Sequence, residues 1–335
     1  TLRGNAGPEL RALLEAYPST FAIVCPAYPK NGRTVRDGVL MVDGVPVDRT
    51  DFGRDLFSPV RDARVGARLG APAAAFGLKL VRDSTDALDD AIDRARSDGL
   101  RIAVADAETD DDLRAVAALQ GRRGDLLWVG SAGLIEMLDG PPPAYEPRAA
   151  TVVTVAGPVV FLIGSIGAMT RRQVDAFARH AAASSEHIDP VAALESRLEA
   201  SIARSCAAVR EGRDALVALG GGREDVERAL EWGRARGWDA QRTGRALRER
   251  LVEATRPLVA AAARGAIVLS GGDVARTFCE RHGVRGLTLI AEAAPGIPVS
   301  RSIGGDLLLV TKAGGFGGPE TYRDILETLH PQVNA

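Results

Sequence analysis

Cysteine is scarce in this chain: three residues in 335, at positions 25, 206 and 279, far apart and in no C-x-x-C pair. That excludes a disulfide framework and a thiolate zinc site, and it suits a reducing cytoplasm. Histidine is as sparse. His180, His187, His282 and His330 lack the i,i+4 pairing of helix-borne metal sites, and each reads as a surface or helix-end residue. A dominant charge is also missing, since 42 basic residues meet 44 acidic ones for a net charge of −2. There is thus no electrostatic footprint for nucleic acid, which leaves small-molecule chemistry. No apolar run approaches a membrane span. G-x-x-x-x-G-K-[ST] is absent, excluding a Walker ATPase, and neither a dinucleotide G-x-G-x-x-G unit nor a G-x-S-x-G nucleophile elbow is found.

What is present is a 46% hydrophobic chain long enough for two domains. Gly7-Pro8-Glu9 starts a helix over about 8–17, because Pro suits the first turn and an acid there complements the dipole. Thr20 to Cys25 reads as a buried strand that ends in the irregular loop 26–33. Asp43-Gly44 between Val39–Val42 and Val45–Val47 is a hairpin signal. From 77 onward the pattern alternates: strand 78–81, helix 85–98, strand 101–105, helix 110–120, strand 126–129. This is βαβαβ, hence a parallel sheet. Thr109 and Asp112 resemble a capping box. Gly130-Ser131-Ala132-Gly133 opens another helix, with small residues that suit close helix-to-strand packing.

Consecutive prolines at 141–143 exclude helix and central strand, so a linker is placed at 139–157, between domains 1–138 and 158–335. The second domain reads as strand 159–163, a helix capped by Thr170 and Gln173, helix 190–209, strand 215–219, a long helix to about 264, strand 266–269, strand 287–291 and a last strand into Lys312. Arg-rich residues 223–250 carry interspersed Glu and read as a solvated helical face. The predicted class is α/β: two domains, each a mainly parallel sheet flanked by helices, with an active-site cleft between them.

Three glycine loops follow strands of this second domain, near Ser165, Gly271 and Gly315. The last, Thr311 to Gly318, runs from a strand into Pro319-Glu320, read as the first turn of a helix. Glycines at a helix N-terminus let backbone N–H groups face an anion, so each loop suits a phosphate, or is simply a tight turn supplying positive φ. In an open α/β sheet such strand ends converge on one crevice, which favours a nucleotide triphosphate. Metal, if any, would come with the nucleotide.

Several stretches taken together, Thr1-Leu2-Arg3-Gly4-Asn5, Cys25 to Arg33, Gly130 to Gly133, Gly164-Ser165, Ser270 to Asp273 and Lys312 to Gly317, resemble in this order the four-carbon acid sugar kinase family over nearly the whole chain. The resemblance implies a two-domain, ATP-dependent kinase of carbohydrate metabolism. It would phosphorylate the terminal hydroxyl of erythronate, threonate or a keto-tetronate, with the sugar acid held by the N-terminal domain and the nucleotide by the C-terminal one. The family's opening strand and Asp-Asp-x-Thr-Gly-Ala loop, the expected source of the catalytic base, have no counterpart here. The chain opens at Thr1, so a longer protein is expected. Gly167 stands where relatives often have Ser.

For the sugar acid, Arg3 and Arg33 are candidates for a bidentate grip on the carboxylate, with Gly4, Asn5 and Lys30 beside them; ordinary surface charge is the alternative. For ATP, Ser165 and the backbone of Gly271, Gly272, Gly314 and Gly315 would cradle phosphates, and Asp273 would hold Mg²⁺ directly or through water. Lys312 either adds charge there or points to water. Competing readings are a non-catalytic nucleotide or sugar-acid binder, and another α/β enzyme of phosphorylated small molecules. No nucleic-acid or membrane partner is expected, and a homo-oligomer is left open.

Overall fold

A computed structural model describes residues 4–53, 59–140, 153–165, 167–179, 183–220, 222–262 and 264–331. Arg3 and most of the expected linker, from 141 to 152, lie outside the described residues. Internal contacts divide the chain into two compact units, 1–146 and 147–335.

The first unit holds a parallel sheet of four strands: β1 (Phe21–Cys25), β5 (Ala74–Phe76), β6 (Ile102–Ala105) and β7 (Leu126–Gly130), in the order β5-β6-β1-β7. A small antiparallel sheet of β2 (Arg33–Arg36), β3 (Val39–Val42) and β4 (Val45–Pro46) follows β1. All five residues of β1 are buried, as a central parallel strand covered on both faces requires. Each large apolar side chain so buried contributes about 1.5–3 kcal/mol. The hairpin turns on Asp43 and Gly44, both with positive φ (50° and 77°). A second Asp-Gly turn at 37–38 precedes it, its two N–H groups donating to the buried Asp106 carboxylate at 2.7 and 2.9 Å.

The run 78–81, expected as a strand, is a short helix. Gly77 divides the apolar stretch: extended at φ −66°, ψ 162°, it ends the three-residue strand β5, and its carbonyl accepts from the N–H groups of Leu80 and Val81. The Thr109–Asp112 capping box is present, with Asp in the role of the usual Glu.

The second unit is a seven-stranded sheet ordered β12-β13-β14-β11-β8-β10-β9, from β8 (Val159–Ile163), β9 (Ser184–Ile188), β10 (Ala215–Leu219), β11 (Ala266–Ser270), β12 (Leu287–Ala294), β13 (Ile297–Ser302) and β14 (Leu308–Lys312). The stretch β14-β11-β8-β10-β9 is parallel, and β12 and β13 add an antiparallel edge. Helices Ala168–Ala178 and Thr321–Leu329 pack together over one face, around Phe161, Phe177 and Tyr322. Helix Gly272–Arg281 packs instead against helix Ala240–Ala254. The helices after the adjacent strands β8 and β11 thus pack on different neighbours.

Three expectations need correction here. Strand β9 was not foreseen, because Ser184-Ser185-Glu186-His187-Ile188 carries little apolar signal. The helix expected over 190–209 is two, Pro190–Leu194 and Glu199–Arg210, broken at Ser196 with φ 59°. The long helix to 264 likewise divides at Thr255, and Pro257 occupies the first turn of the following Arg256–Ala261. No helix among the described residues is long and apolar enough to cross a membrane.

Candidate functional site

In the C-terminal unit the three glycine loops meet because their strands are neighbours. Gly164 N–H donates to the Ser270 carbonyl at 3.1 Å, and Gly271 N–H donates to the Lys312 carbonyl at 2.9 Å, so β8, β11 and β14 are tied together where their loops begin. A Cβ on Gly314 would lie 2.4 Å from Ser165 Oγ and 2.7 Å from Ser165 Cβ, and one on Gly271, at φ 110°, would lie 3.6 Å from Ser165 N. Ser165, Gly271 and Gly314 therefore form one cluster. Gly315 is open by comparison, its nearest neighbour being Met169 Cβ at 3.9 Å, and Gly272 has nothing within 4 Å. Such backbone, without side chains over it, suits close approach by a large anion.

The loop from 313 to 318 is fixed from behind. Thr170 and Gln173, expected as a helix cap, lie inside the helix that Gly167 begins, and are buried. Thr170 Oγ1 is 2.9 Å from Ser165 Oγ, while Gln173 Nε2 donates to the carbonyls of Phe316 (2.9 Å) and Gly318 (2.8 Å). Pro319-Glu320 precedes the last helix, which begins at Thr321, whose hydroxyl also donates to the Gly318 carbonyl. Lys312 does not point to water. It is 3% exposed, and its ammonium donates to the carbonyls of Ala313 and Gly314 and lies 5.2 Å from the Tyr322 ring centroid. Burial pushes its pKa down to about 7.

Asp273, in the first turn of its helix, is exposed, with Arg248 Nη1 3.7 Å from its Oδ2. Among the described residues no group of three His, Cys, Asp or Glu side chains is placed to hold a metal. A cavity of about 350 Å³ adjoins the Ser165 loop, lined among others by Thr170, Arg171, Arg172 and His187. A wider recess of about 930 Å³ follows helix 240–254 and holds none of the glycine-loop residues. The loops locate the site better than size does, since they bring Ser165, Gly271 and Gly314 together and leave Gly272 and Gly315 open beside them.

In the N-terminal unit, loops after β1, β6 and β7 converge on Lys30. Its ammonium lies 2.9 Å from Glu136 Oε2 and 3.8 Å from Asp110 Oδ2, and Tyr28 Oη donates to Glu136 Oε1 at 2.7 Å. The bond from Lys30, then that from Tyr28, holds the Glu136 carboxyl below its usual range. The 130–133 loop packs on this cluster: a Cβ on Gly133 would meet Tyr28 Cδ2 at 2.6 Å, and one on Gly130 the Cys25 carbonyl at 2.5 Å. The close-packing reading of these glycines agrees with that. Arg33 opens β2, its guanidinium 6.0 Å from the Phe52 ring centroid. Gly4 (φ 97°) and Asn5 lie exposed at the start of helix Ala6–Ala16.

Residues 1–138 match a family model described as a sugar-binding N-terminal domain, and residues 160–322 one described as a nucleotide-binding C-terminal domain. A D-threonate kinase of Salmonella typhimurium is 29% identical over 97% of this chain and 78% of its own. The 3-oxo-tetronate kinases of Pseudomonas fluorescens and Methylobacterium radiotolerans are 30% and 32% identical, over 98% and 97% of this chain and 76% and 78% of theirs. The chain belongs to the four-carbon acid sugar kinase family. A solved protein of Salmonella typhimurium LT2, 21% identical with a TM-score of 0.71 over 98% of this chain and 78% of its own, shares the fold.

Sequence reading of this family member missed Tyr28 and Glu136, because a carboxylate six residues beyond the end of β7 carries no signal of pairing with Lys30. It also missed Tyr322 and took Gln173 for part of a helix cap, not for the donor to the Phe316 and Gly318 carbonyls. Ser165 and Thr170, which line the cavity, were singled out in the sequence, whereas Arg171, Arg172 and His187 were not placed there.

Proposed function

We propose that this chain is an ATP-dependent kinase that phosphorylates the terminal hydroxyl of a four-carbon sugar acid, threonate, erythronate or 3-oxo-tetronate, in carbohydrate catabolism. The observation that carries this reading is the sequence relation to D-threonate and 3-oxo-tetronate kinases along almost the entire chain. The convergence of three glycine loops on Ser165 supports it independently. Residues 1–138 would form the sugar-acid domain, 139–157 the linker and 158–335 the nucleotide domain.

Phosphoryl transfer asks a protein mostly for positioning and charge neutralisation. Ser165 and the backbone of Gly271, Gly272, Gly314 and Gly315 take the phosphates. The metal fit is to Mg²⁺ carried in by the nucleotide: Asp273 is an exposed carboxylate outside any group of three ligating side chains among the described residues, and magnesium commonly takes one or two carboxylates plus phosphate oxygens and water. When bound, the ion supplies neutralisation of phosphate charge. On the acceptor side Arg33, Lys30, Asn5 and Gly4, with Arg3, bind the sugar acid, whose carboxylate competes with Glu136 for Lys30. No residue is assigned as general base. Three free thiols, Cys25 and Cys206 buried and Cys279 partly so, go with a cytoplasmic setting.

The test is a mass-spectrometric assay with Mg-ATP and a panel of the three acids. A phosphorylated product names the substrate; ATP binding without product from any of them would point to another acceptor or to a binding protein.

A further inference from the structure

Lys312 occupies an unusual position for a cation beside a phosphate loop. It lies beneath the loop, buried, with its ammonium bonded to two successive carbonyls, Ala313 and Gly314. Each of those carbonyls belongs to the same planar trans peptide as the next residue's N–H, which points the opposite way. The N–H groups of Gly314 and Gly315 are therefore turned away from Lys312, and neither donates to a protein acceptor among the described residues. The carbonyl of Lys312 also accepts the Gly271 N–H, and the Tyr322 ring beside its ammonium sends a hydroxyl to Ser270 Oγ at 2.8 Å. One residue thus touches two of the three loops.

We propose that Lys312 is a positioning residue of the nucleotide site: from below, its ammonium draws two carbonyls inward and so presents the N–H groups of Gly314 and Gly315 to a phosphate. This rests on the nucleotide reading above. Among the described residues, the groups facing the ammonium are the two carbonyls and the Tyr322 ring, with no carboxylate to balance the buried charge. A phosphate on the loop supplies one. Binding then stabilises the protonated lysine and draws a proton from solvent.

The experiment is calorimetric titration of the full chain with ATP at about pH 8.5, where a lysine with a pKa of about 7 is mostly neutral, in two buffers of different ionisation enthalpy. The wild type is expected to take up protons. Lys312→Met, folded by circular dichroism, should lose that uptake and bind ATP roughly ten- to hundredfold more weakly, with the sugar-acid KM unchanged. ATP affinity within twofold of wild type in Lys312→Met overturns the proposal, and Lys312→Gln serves if Met fails to fold. Absence of proton uptake by the wild type overturns it as well. Failure of the wild type to bind ATP at all would instead defeat the nucleotide reading.

Discussion

The loop clusters of the two units are built from different materials. Around Lys30 the N-terminal loops are joined by charged and hydroxyl side chains, Lys30 to Glu136 and Tyr28 to Glu136, and nearby the helix 110–117 is anchored by the bidentate Arg82–Asp112 pair at 2.7 and 2.9 Å. Around Ser165 the C-terminal loops are joined through backbone, with Gln173 and Lys312 serving carbonyls and no ion pair inside the cluster among the described residues. A small acid with several hydroxyls is distinguished by side chains placed one by one, whereas a polyphosphate is gripped through repeated N–H groups. The first cluster should therefore fail by graded loss of affinity, and the second by sterics.

The largest effect should come from Gly314→Val. Its Cβ alone enters the space of Ser165, so the substitution displaces Ser165 from Thr170 and should abolish measurable ATP binding. Gly315→Val sharpens the point. The protein has room for a Cβ there, so the fold and melting temperature should hold while ATP affinity falls by roughly tenfold or more, because only an incoming phosphate meets the side chain. Unchanged ATP affinity in folded Gly315→Val would remove the phosphate from this loop.

Next is Arg33→Ala. Loss of a charged hydrogen-bonding partner should raise the sugar-acid KM roughly ten- to hundredfold and leave the ATP KM within twofold. An effect on both substrates would dissolve the division of labour between the clusters.

The two clusters were partly legible in the sequence. Strands β1, β8 and β11 and their loops could be read because continuous apolar runs end abruptly at Pro or Gly, and the resemblance ordered them. Two kinds of feature could not be read. Gly77 ends a three-residue strand inside what looks like a longer apolar run, a choice made by pairing with β6 rather than by local preference. Gln173 and Tyr322 act on residues well over a hundred and about fifty positions away, Phe316 and Ser270, so no local pattern marks them. The direction of Lys312 was likewise undetermined, since a lysine ending a strand has the same sequence whether it faces water or the underside of the next loop.

Asp112→Asn tests the charged construction away from ligand. The Asp112 carboxylate is buried, which raises its pKa, but the Arg82 guanidinium and the N–H groups of Glu108 and Thr109 outweigh this and hold it at about 2. A depressed folded-state pKa contributes stability above the unfolded value of about 4, and that contribution disappears as the pH falls toward 2. Asn should cost about 2 kcal/mol at pH 7, read from denaturant midpoints, and the difference from wild type should shrink across that window. A gap that persists unchanged at pH 2 would mean packing, not charge, is responsible.

The smallest effect is expected from Glu136→Gln. Lys30 and Glu136 are both well exposed, with side-chain exposures of 56% and 38%, so the melting temperature should not move. What changes is the competition at the ammonium. Without the carboxylate, Lys30 is free to meet an anionic substrate, and the sugar-acid KM should fall about threefold at low salt and converge with wild type as ionic strength rises. The sign matters more than the size. A lower KM that salt erases puts Lys30 among the groups that read the acid; an unchanged KM at low salt leaves it as a strut between β1 and β7 and moves the carboxylate grip to Arg33.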